Sequence, residues 1–318
     1  MDRLEAMKLL VAVTEKGSFT AASRDLQVPL ATLSRKVADL EAALGARLLV
    51  RTTRTLSLTE AGTAYVAAAR RILEQVEEAE RTAAGEFTAP RGELVLTAPV
   101  LFGRLHVLPI VADFLAAFAE IDVRLVLADR NLRLVDDHVD MGVRIGPLAD
   151  STMVATRIGT MRTVTCASPA FLAARGRPGQ PADLTAMPCV AFDGPMATPA
   201  WRYRMPDGNL AEIPVRPRLS VTTAEAAAEA AVRGVGITRL LHYQVAGAVA
   251  AGALILLLEP FEPEPLPVHL VHAAHGQMPL KMRSFLDFAV PRLRRALTRL
   301  ARGSGERDPA LTDDIGKA

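Results

Sequence analysis

The sequence predicts an α+β multidomain chain: a winged helix-turn-helix, one long helix, and then a larger α/β module. Three observations predict it. Within residues 18–44 two helical patterns meet at a tight turn. A heptad-spaced apolar seam then runs through residues 59–84, and from about residue 93 short apolar runs alternate with helical patterns. A length of 318 residues fits roughly two domains with a sizeable core.

The first element of note is a short helix with Ser18 as its N-cap and with Ala22 and Leu26 facing inward. After the turn, Pro29 suits the first turn of a second helix over 30–44. There Leu33, Val37, Leu40 and Leu44 make one apolar stripe, and Ala31, Thr32, Arg35 and Asp39 lie off it. A short helix that buries one face and presents hydroxyls and an arginine on the other fits the DNA major groove. An ordinary helical hairpin with a solvated polar face has the same pattern. The segment just beyond the hairpin favours groove binding. Residues 45–58 read as a two-stranded wing carrying Arg47, Arg51 and Arg54. Between 31 and 58 positive charges exceed negative by three, in a chain whose formal net charge is only +2. Positive charge is thus concentrated where phosphates would lie.

The opening segment DRLEAMKLLVAVTEKGSFTAAS and the stretch LSRKVADLEAALGARLLVRTTRTLSLTEAG, with the long helix behind them, resemble the N-terminal part of LysR-type transcriptional regulators. The downstream segment resembles that family's effector domain, so the likeness spans almost the whole chain. The family often carries Ser-Gln where this chain has Pro29 and Leu30, which removes a polar pair near base edges. The resemblance implies a DNA-binding bacterial transcriptional regulator and not an enzyme. DNA contacts are expected from Ser18, Thr20, Leu30, Ala31, Thr32, Ser34, Arg35, Lys36, Arg51 and Arg54. Arg35 is the candidate for a base edge, while Lys36, Arg51 and Arg54 suit phosphates.

The long helix carries Tyr65, Ala69, Ile72, Val76, Ala79 and Ala83 on a heptad seam. In the resembling family this is the dimerisation helix, so Tyr65, Ala69, Ile72, Val76 and Ala79 are candidate dimer contacts. An amphipathic helix packed on its own domain would show the same stripe. A hinge, GEFTAPR, comes next at 85–91.

Beyond it, strand signals fall at Glu93–Ala98, Val123–Ala128, Asp140–Ile145, Met153–Gly159, Thr163–Cys166, Cys189–Phe192 and Gly236–Arg239, with a helix over 103–118. Short apolar runs between helical patterns predict parallel sheets covered on both sides. The resemblance implies a two-lobed fold like that of periplasmic binding proteins. The expected domains are 1–58 for DNA binding, 59–90 for the linker helix and hinge, and 91–303 for effector binding, with a polar tail at 304–318. Lobe I would comprise about 91–165 and 268–303, and lobe II about 166–267.

A two-lobed module places its ligand in the cleft, at strand C-termini and helix N-termini. Pro99, Val100, Phe102 and Gly103 follow the first strand and open a helix whose free N–H groups would suit an anion or a carbonyl oxygen. Arg144, Gly146, Phe192, Asp193, Trp201, Thr222 and Thr223 lie at other element ends. Trp201 could line the pocket or fill a core, and Arg144 could bind ligand or pair with a nearby aspartate.

Other chemistry is not expected. His269, His272 and His275 recur every third residue, but on a strand His269 and His272 point to opposite faces and no carboxylate or thiol cluster completes a metal site. Cys166 and Cys189, the two cysteines, suit buried or inert roles, with a redox switch between them as the alternative. No nucleophile or general-base motif is present, and GVGIT and DGNL are turn signals. No cofactor is implied. The N-terminus carries Asp2 and Glu5 and only a five-residue apolar run, unlike a secretion signal. The longest apolar stretch, Val245–Leu258, has 14 residues and two glycines, short of the ~20 that span a bilayer, and reads as a buried helix and strand. The expected partners are therefore double-stranded DNA with an inverted-repeat operator, an unidentified small-molecule effector, a second copy of the chain as homodimer or homotetramer, and RNA polymerase. The expected location is the cytoplasm, with no membrane. A secreted solute-binding protein and a two-lobed enzyme are the alternatives.

Overall fold

Helix α1 (Arg3–Lys16) starts where Asp2 Oδ1 accepts the Leu4 and Glu5 amides at 2.9 and 3.2 Å, and stops at Gly17, whose φ of 63° suits a residue without a side chain. The computed structural model describes residues 2–51, 56–83, 89–130, 132–134, 137–148, 153–193, 200–274 and 278–302. Two compact units divide the chain, Met1–Gly92 and Glu93–Ala318.

In the first unit, α2 (Phe19–Asp25) is capped by Ser18 Oγ, which accepts the Ala21 amide. The turn after it is closed by Gln27 at φ 53° and by Ser23 Oγ donating to the Val28 carbonyl at 2.6 Å. Helix α3 (Leu30–Leu44) comes next, with Pro29 as its N-cap residue instead of a first-turn residue. Leu33, Val37 and Leu40 are buried with Ala6, Leu9, Leu10, Val13 and Ala22 in one core. Leu44, expected to complete the stripe, is 39% exposed because the helix ends there and turns at Gly45, φ 64°. Strands β1 (Leu49–Arg51) and β2 (Leu56–Leu58) pair antiparallel as the wing. Helix α4 (Glu60–Ala83) then packs its first turns on α1, burying Val66, Ala69 and Leu73.

The second unit begins with β3 (Gly92–Ala98), a continuous helix α5 (Val100–Ala117) with a π turn at Gly103–Val107, then β4 (Ile121–Leu127), β5 (Met141–Ile145) and β6 (Met153–Met161). It continues through β7 (Thr163–Ala167), α6 (Pro169–Arg175), β8 (Cys189–Phe192), β9 (Ala200–Arg204), β10 (Leu210–Pro214) and β11 (Pro217–Val221). The last elements are α7 (Ala224–Val232), β12 (Ile237–Leu241), α8 (His242–Ala250), β13 (Ile255–Leu257), β14 (Leu266–Ala273) and α9 (Leu280–Arg302).

These strands form two five-stranded sheets, ordered β4-β3-β5-β14-β6 and β11-β8-β12-β7-β13. Neither is purely parallel, contrary to the expectation. β3 runs parallel to β5 and β8 to β11 and β12, but β14 opposes both its neighbours, and β7 opposes β12 and β13. A buried antiparallel strand reads as the same apolar run as a parallel one, so the sequence pattern does not separate them. The chain passes from one sheet to the other at Arg162 and returns between Phe261 and Leu266, a few residues before the crossings expected at 165/166 and 267/268. Arg162 clamps these crossings together: it donates twice to Glu262 at 2.8 Å and once to Glu259 at 2.9 Å.

Each sheet is covered on both faces by alternation. In lobe I, Leu94 and Leu96 face a core with Phe114 of α5 and Phe285 of α9, while Val95 faces Leu132, Leu134 and Val139. Helix α5 is long and apolar enough to cross a membrane by composition alone, yet Ile110, Val111 and Phe114 are spent on this core. In lobe II, Cys166 and Val190 face the alanines of α7, while Cys189 and Ile237 face Phe171, Trp201 and Tyr203. The two thiols therefore lie on opposite faces of the sheet, two strands and about 10 Å apart, beyond disulfide reach. Burial pushes the Cys166 thiol up to about 12 and the Cys189 thiol up to about 11, so neither supplies a thiolate.

Candidate functional site

The polar side of α3 is presented by the way its neighbours hold it. With Leu33, Val37 and Leu40 buried, Leu30, Ala31 and Arg35 are exposed and Thr32 and Ser34 half-buried. Thr20 is exposed on α2, while Ser18 is already used as the cap of that helix. Lys36 is drawn back into an ion pair with Glu5 of α1, which competes with any phosphate for its charge. Arg51 ends β1. Arg54 lies outside the described residues.

The wing is fastened by two residues that sequence reasoning missed or underused. Glu41, one of the two acids within 31–58, accepts the amides of Leu48 and Leu49 at 2.7 and 3.0 Å through one oxygen. Thr59 donates to the Arg47 carbonyl at 2.7 Å and accepts the Gly62 amide at 2.9 Å, capping α4 while holding the wing. At Gly62 a methyl group would stand 1.9 Å from the Leu48 carbonyl oxygen, so helix and wing touch backbone to backbone.

Along α4 the expected seam is divided. Ala69 is buried inside its own unit and Tyr65 packs against the N-terminal core, whereas Ile72 is 39% exposed, Val76 half-buried and Ala79 exposed.

In the second unit a cavity of about 740 Å³ lies between the two sheets. Of the residues expected there, Pro99, Arg144, Phe192 and Trp201 line it. Trp201 serves both readings, since it also belongs to the core beside Tyr203 and is 6% exposed. Among the described residues Arg144 has no aspartate partner: Nη2 donates to the Leu132 carbonyl at 2.6 Å. The other expected residues have structural employment. Val100 gives its amide to Asp129 Oδ1 at 3.0 Å, so the helix end expected to offer free N–H groups is occupied by a side-chain carboxylate. Phe102 is fully buried, and Gly103 lets α5 approach Leu127, where a methyl would meet its Cδ2 at 2.2 Å. Gly146 turns at φ 109°, and the Asp193 amide is bound by the Val221 carbonyl at 2.7 Å. Thr223 caps α7 through the Ala226 amide, and Thr222 is exposed away from the cavity lining. Sequence reasoning missed Arg130, Arg202, Arg204, Arg239 and Tyr243, which reach the cavity from segments far apart in the chain.

The helix-turn-helix model of bacterial lysR-family regulatory proteins matches residues 4–63, and the LysR substrate binding domain model matches residues 88–294. The chain belongs to the LysR family.

Relatives agree over nearly full length. A transcriptional repressor of Pseudomonas aeruginosa is 33% identical over 299 residues, covering 91% of this chain and 92% of the relative. The regulator CrgA of Neisseria meningitidis is 33% identical over 291 residues, covering 91% and 96%. The solved structure of CrgA is similar with a TM-score of 0.58 at 31% identity, covering 91% of this chain and 98% of that one. The full-length Vibrio cholerae virulence activator AphB gives a TM-score of 0.58 at 25% identity, covering 91% and 98%. This LysR-family chain is thus a DNA-binding transcriptional regulator with an effector-binding domain. Because its relatives include a repressor and an activator, the architecture serves either sign of control.

Among the described residues no cluster of three His, Cys, Asp or Glu could hold a metal ion, and His275 lies outside them. His272 is buried with Nδ1 at 2.8 Å from the Ala273 carbonyl oxygen.

Proposed function

We propose that α3 enters the major groove with Arg35 on a base edge, and that Thr32 and Ser34 contact bases or phosphates beside it. The supporting observation is the exposed guanidinium of Arg35 on the helix face opposite buried Leu33 and Val37. The wing arginines Arg51 and Arg54 take flanking phosphates. Lys36 contributes less to phosphate binding than they do, since Glu5 already neutralises it. Two copies pair through α4, with Ile72, Val76 and Ala79 as the contacts left after Ala69 is buried, and read the two halves of an inverted repeat. A small molecule in the inter-lobe cavity shifts the balance between lobe arrangements, and must bind the two arrangements unequally to do so. RNA polymerase is the partner at the promoter, and the protein works in the cytoplasm.

Fluorescence anisotropy on the DNA upstream of its own gene, against scrambled DNA at two salt concentrations, tests this. Arg35→Ala is expected to lose about 1–3 kcal/mol on the specific DNA and little on the scrambled one. Arg51→Ala is expected to weaken both alike and to lower the salt slope by about one unit. Equal losses for Arg35→Ala on both DNAs would remove it from direct readout.

A further inference from the structure

We propose that the inter-lobe cavity takes a small organic anion, a carboxylate or sulfonate on an apolar body, with Arg239 and Arg144 as its charge partners. The proposal rests on the reading of that cavity as the effector site, and it names the chemistry of the occupant.

Charge in the lining is unbalanced. Five arginines, Arg130, Arg144, Arg202, Arg204 and Arg239, face the acids Asp129 and Glu264. Glu264 pairs with Arg204 at 2.9 Å, and Asp129 is held by the Val100 amide and keeps its charge, so the lining carries three positive charges in excess. Arg202 finds its carboxylate in Glu212, outside the lining, at 2.8 Å. Arg130, Arg144 and Arg239 are left with no carboxylate at ion-pair distance among the described residues.

Two of these three are fixed in place by neutral groups. Arg144, on β5 of lobe I, donates to the Leu132 carbonyl. Arg239, on β12 of lobe II, donates from Nη2 to the Arg202 carbonyl at 2.9 Å and stands over the Tyr203 ring at 5.5 Å. Its Nε is buried without an acceptor among the described residues. Carbonyls orient a guanidinium but do not cancel its charge, and burial lowers the affinity of both groups for their protons. Both guanidiniums are half-buried, and Glu262 acts on Arg239 only from beyond ion-pair distance. A partly desolvated cation with no carboxylate in contact is costly, and an incoming anion recovers that cost where a neutral ligand would not. Beside the arginines, Phe192, Trp201, Leu241, Tyr243 and Leu266 supply an apolar wall. A volume of about 740 Å³ is of the size that holds drug-like ligands. Because the two arginines come from opposite lobes, one anion between them favours lobe approach.

Trp201, the sole tryptophan, lines this cavity and reports its occupation. The full-length protein is titrated with 1-anilinonaphthalene-8-sulfonate and, separately, with N-phenyl-1-naphthylamine, which has the same aromatic body without the sulfonate. Quenching of Trp201 is read. The sulfonate is expected to half-saturate at a concentration about 10-fold or more below the neutral probe, the effect of one charge-assisted contact. Arg239→Gln and Arg144→Gln should each reduce that preference, read as the ratio of the two half-saturation concentrations in the same variant; if Arg239→Gln fails to fold by circular dichroism, Arg144→Gln carries the test alone. Equal affinity for both probes, or a preference that survives in the folded variants, would overturn the anion assignment while leaving the cavity as a ligand site. Absence of Trp201 quenching by either probe would overturn the cavity reading and this inference together.

Discussion

Removing the Glu41 carboxylate should free the wing without touching the core of the DNA-binding unit. One oxygen of this side chain accepts two amides, Leu48 at 2.7 Å and Leu49 at 3.0 Å, where the chain turns from α3 into β1. Leu48 and Leu49 are both buried, so their N–H groups have no ready exchange for water. A hydrogen bond to a charged acceptor contributes about 1.5–3 kcal/mol, but two bonds to one half-buried oxygen are less than additive, so Glu41→Ala should cost about 2–4 kcal/mol locally. Hydrogen exchange of the full chain, followed on the peptide that carries these two amides, reads this directly. At about 1.4 kcal/mol per decade, their exchange should accelerate roughly 30- to 1,000-fold. Glu41→Gln keeps an oxygen in place and should accelerate exchange by only about 10-fold, the difference between a charged and a neutral acceptor. The same Ala variant should weaken binding to specific and scrambled DNA alike, because the wing arginines lose their frame. Unchanged exchange at Leu48 and Leu49 in Glu41→Ala would refute the reasoning.

Two further substitutions have signs that separate the structure from simpler expectations. Helix propensity alone makes Gly62→Ala stabilising by about 1 kcal/mol, but the 1.9 Å approach to the Leu48 carbonyl oxygen should reverse that to a loss of about 1–3 kcal/mol, measured by calorimetric unfolding. A more stable Ala variant would sink the close contact. His106 packs against the rings of Phe102 and Tyr243 with a buried Nε2 that has no partner among the described residues, and burial holds its pKa below the usual 6.5. The unfolded chain then binds the proton first. Its contribution to stability is complete above about pH 6.5 and is lost as pH falls toward the folded value. Melting curves taken down to about pH 5.5 should show His106→Phe losing less stability on acidification than the parent, by at most about 1.4 kcal/mol per pH unit. Identical acid profiles would contradict it.

What the sequence made legible was whatever depends on near neighbours. Leu33, Val37 and Leu40 declared α3 by their spacing, Ser18 declared the start of α2 by its chemistry, and the Cys189–Phe192 strand was bounded as found. The stripe overreached at Leu44, since periodicity continues past the point where Gly45 ends the helix. The hairpin β9–β10 went unread although DGNL marked its turn, because Trp201 and Tyr203 alternate inward against a partner strand whose own pattern is weak. The cavity was legible only where strand ends mark it, at Pro99, Arg144, Phe192 and Trp201. Its other arginines come from β9, β12 and the loop after β4, and only the tertiary fold brings them together. Nothing local could reveal that Asp129 would reach Val100 and close the helix end expected to hold the ligand.

The placement of β14 between β5 and β6 bears on how the effector domain is made. Lobe II is contiguous from Thr163 to Phe261, so all of its strands emerge from the ribosome before the last strand of lobe I does. The earlier half of lobe I must wait, with β5 and β6 unjoined, until Leu266–Ala273 has been synthesised to fill the gap. Synthesis order therefore favours completion of the second lobe before the first, and a chain stopped short of Leu266 leaves two open strand edges of the kind that chaperones bind or that aggregate.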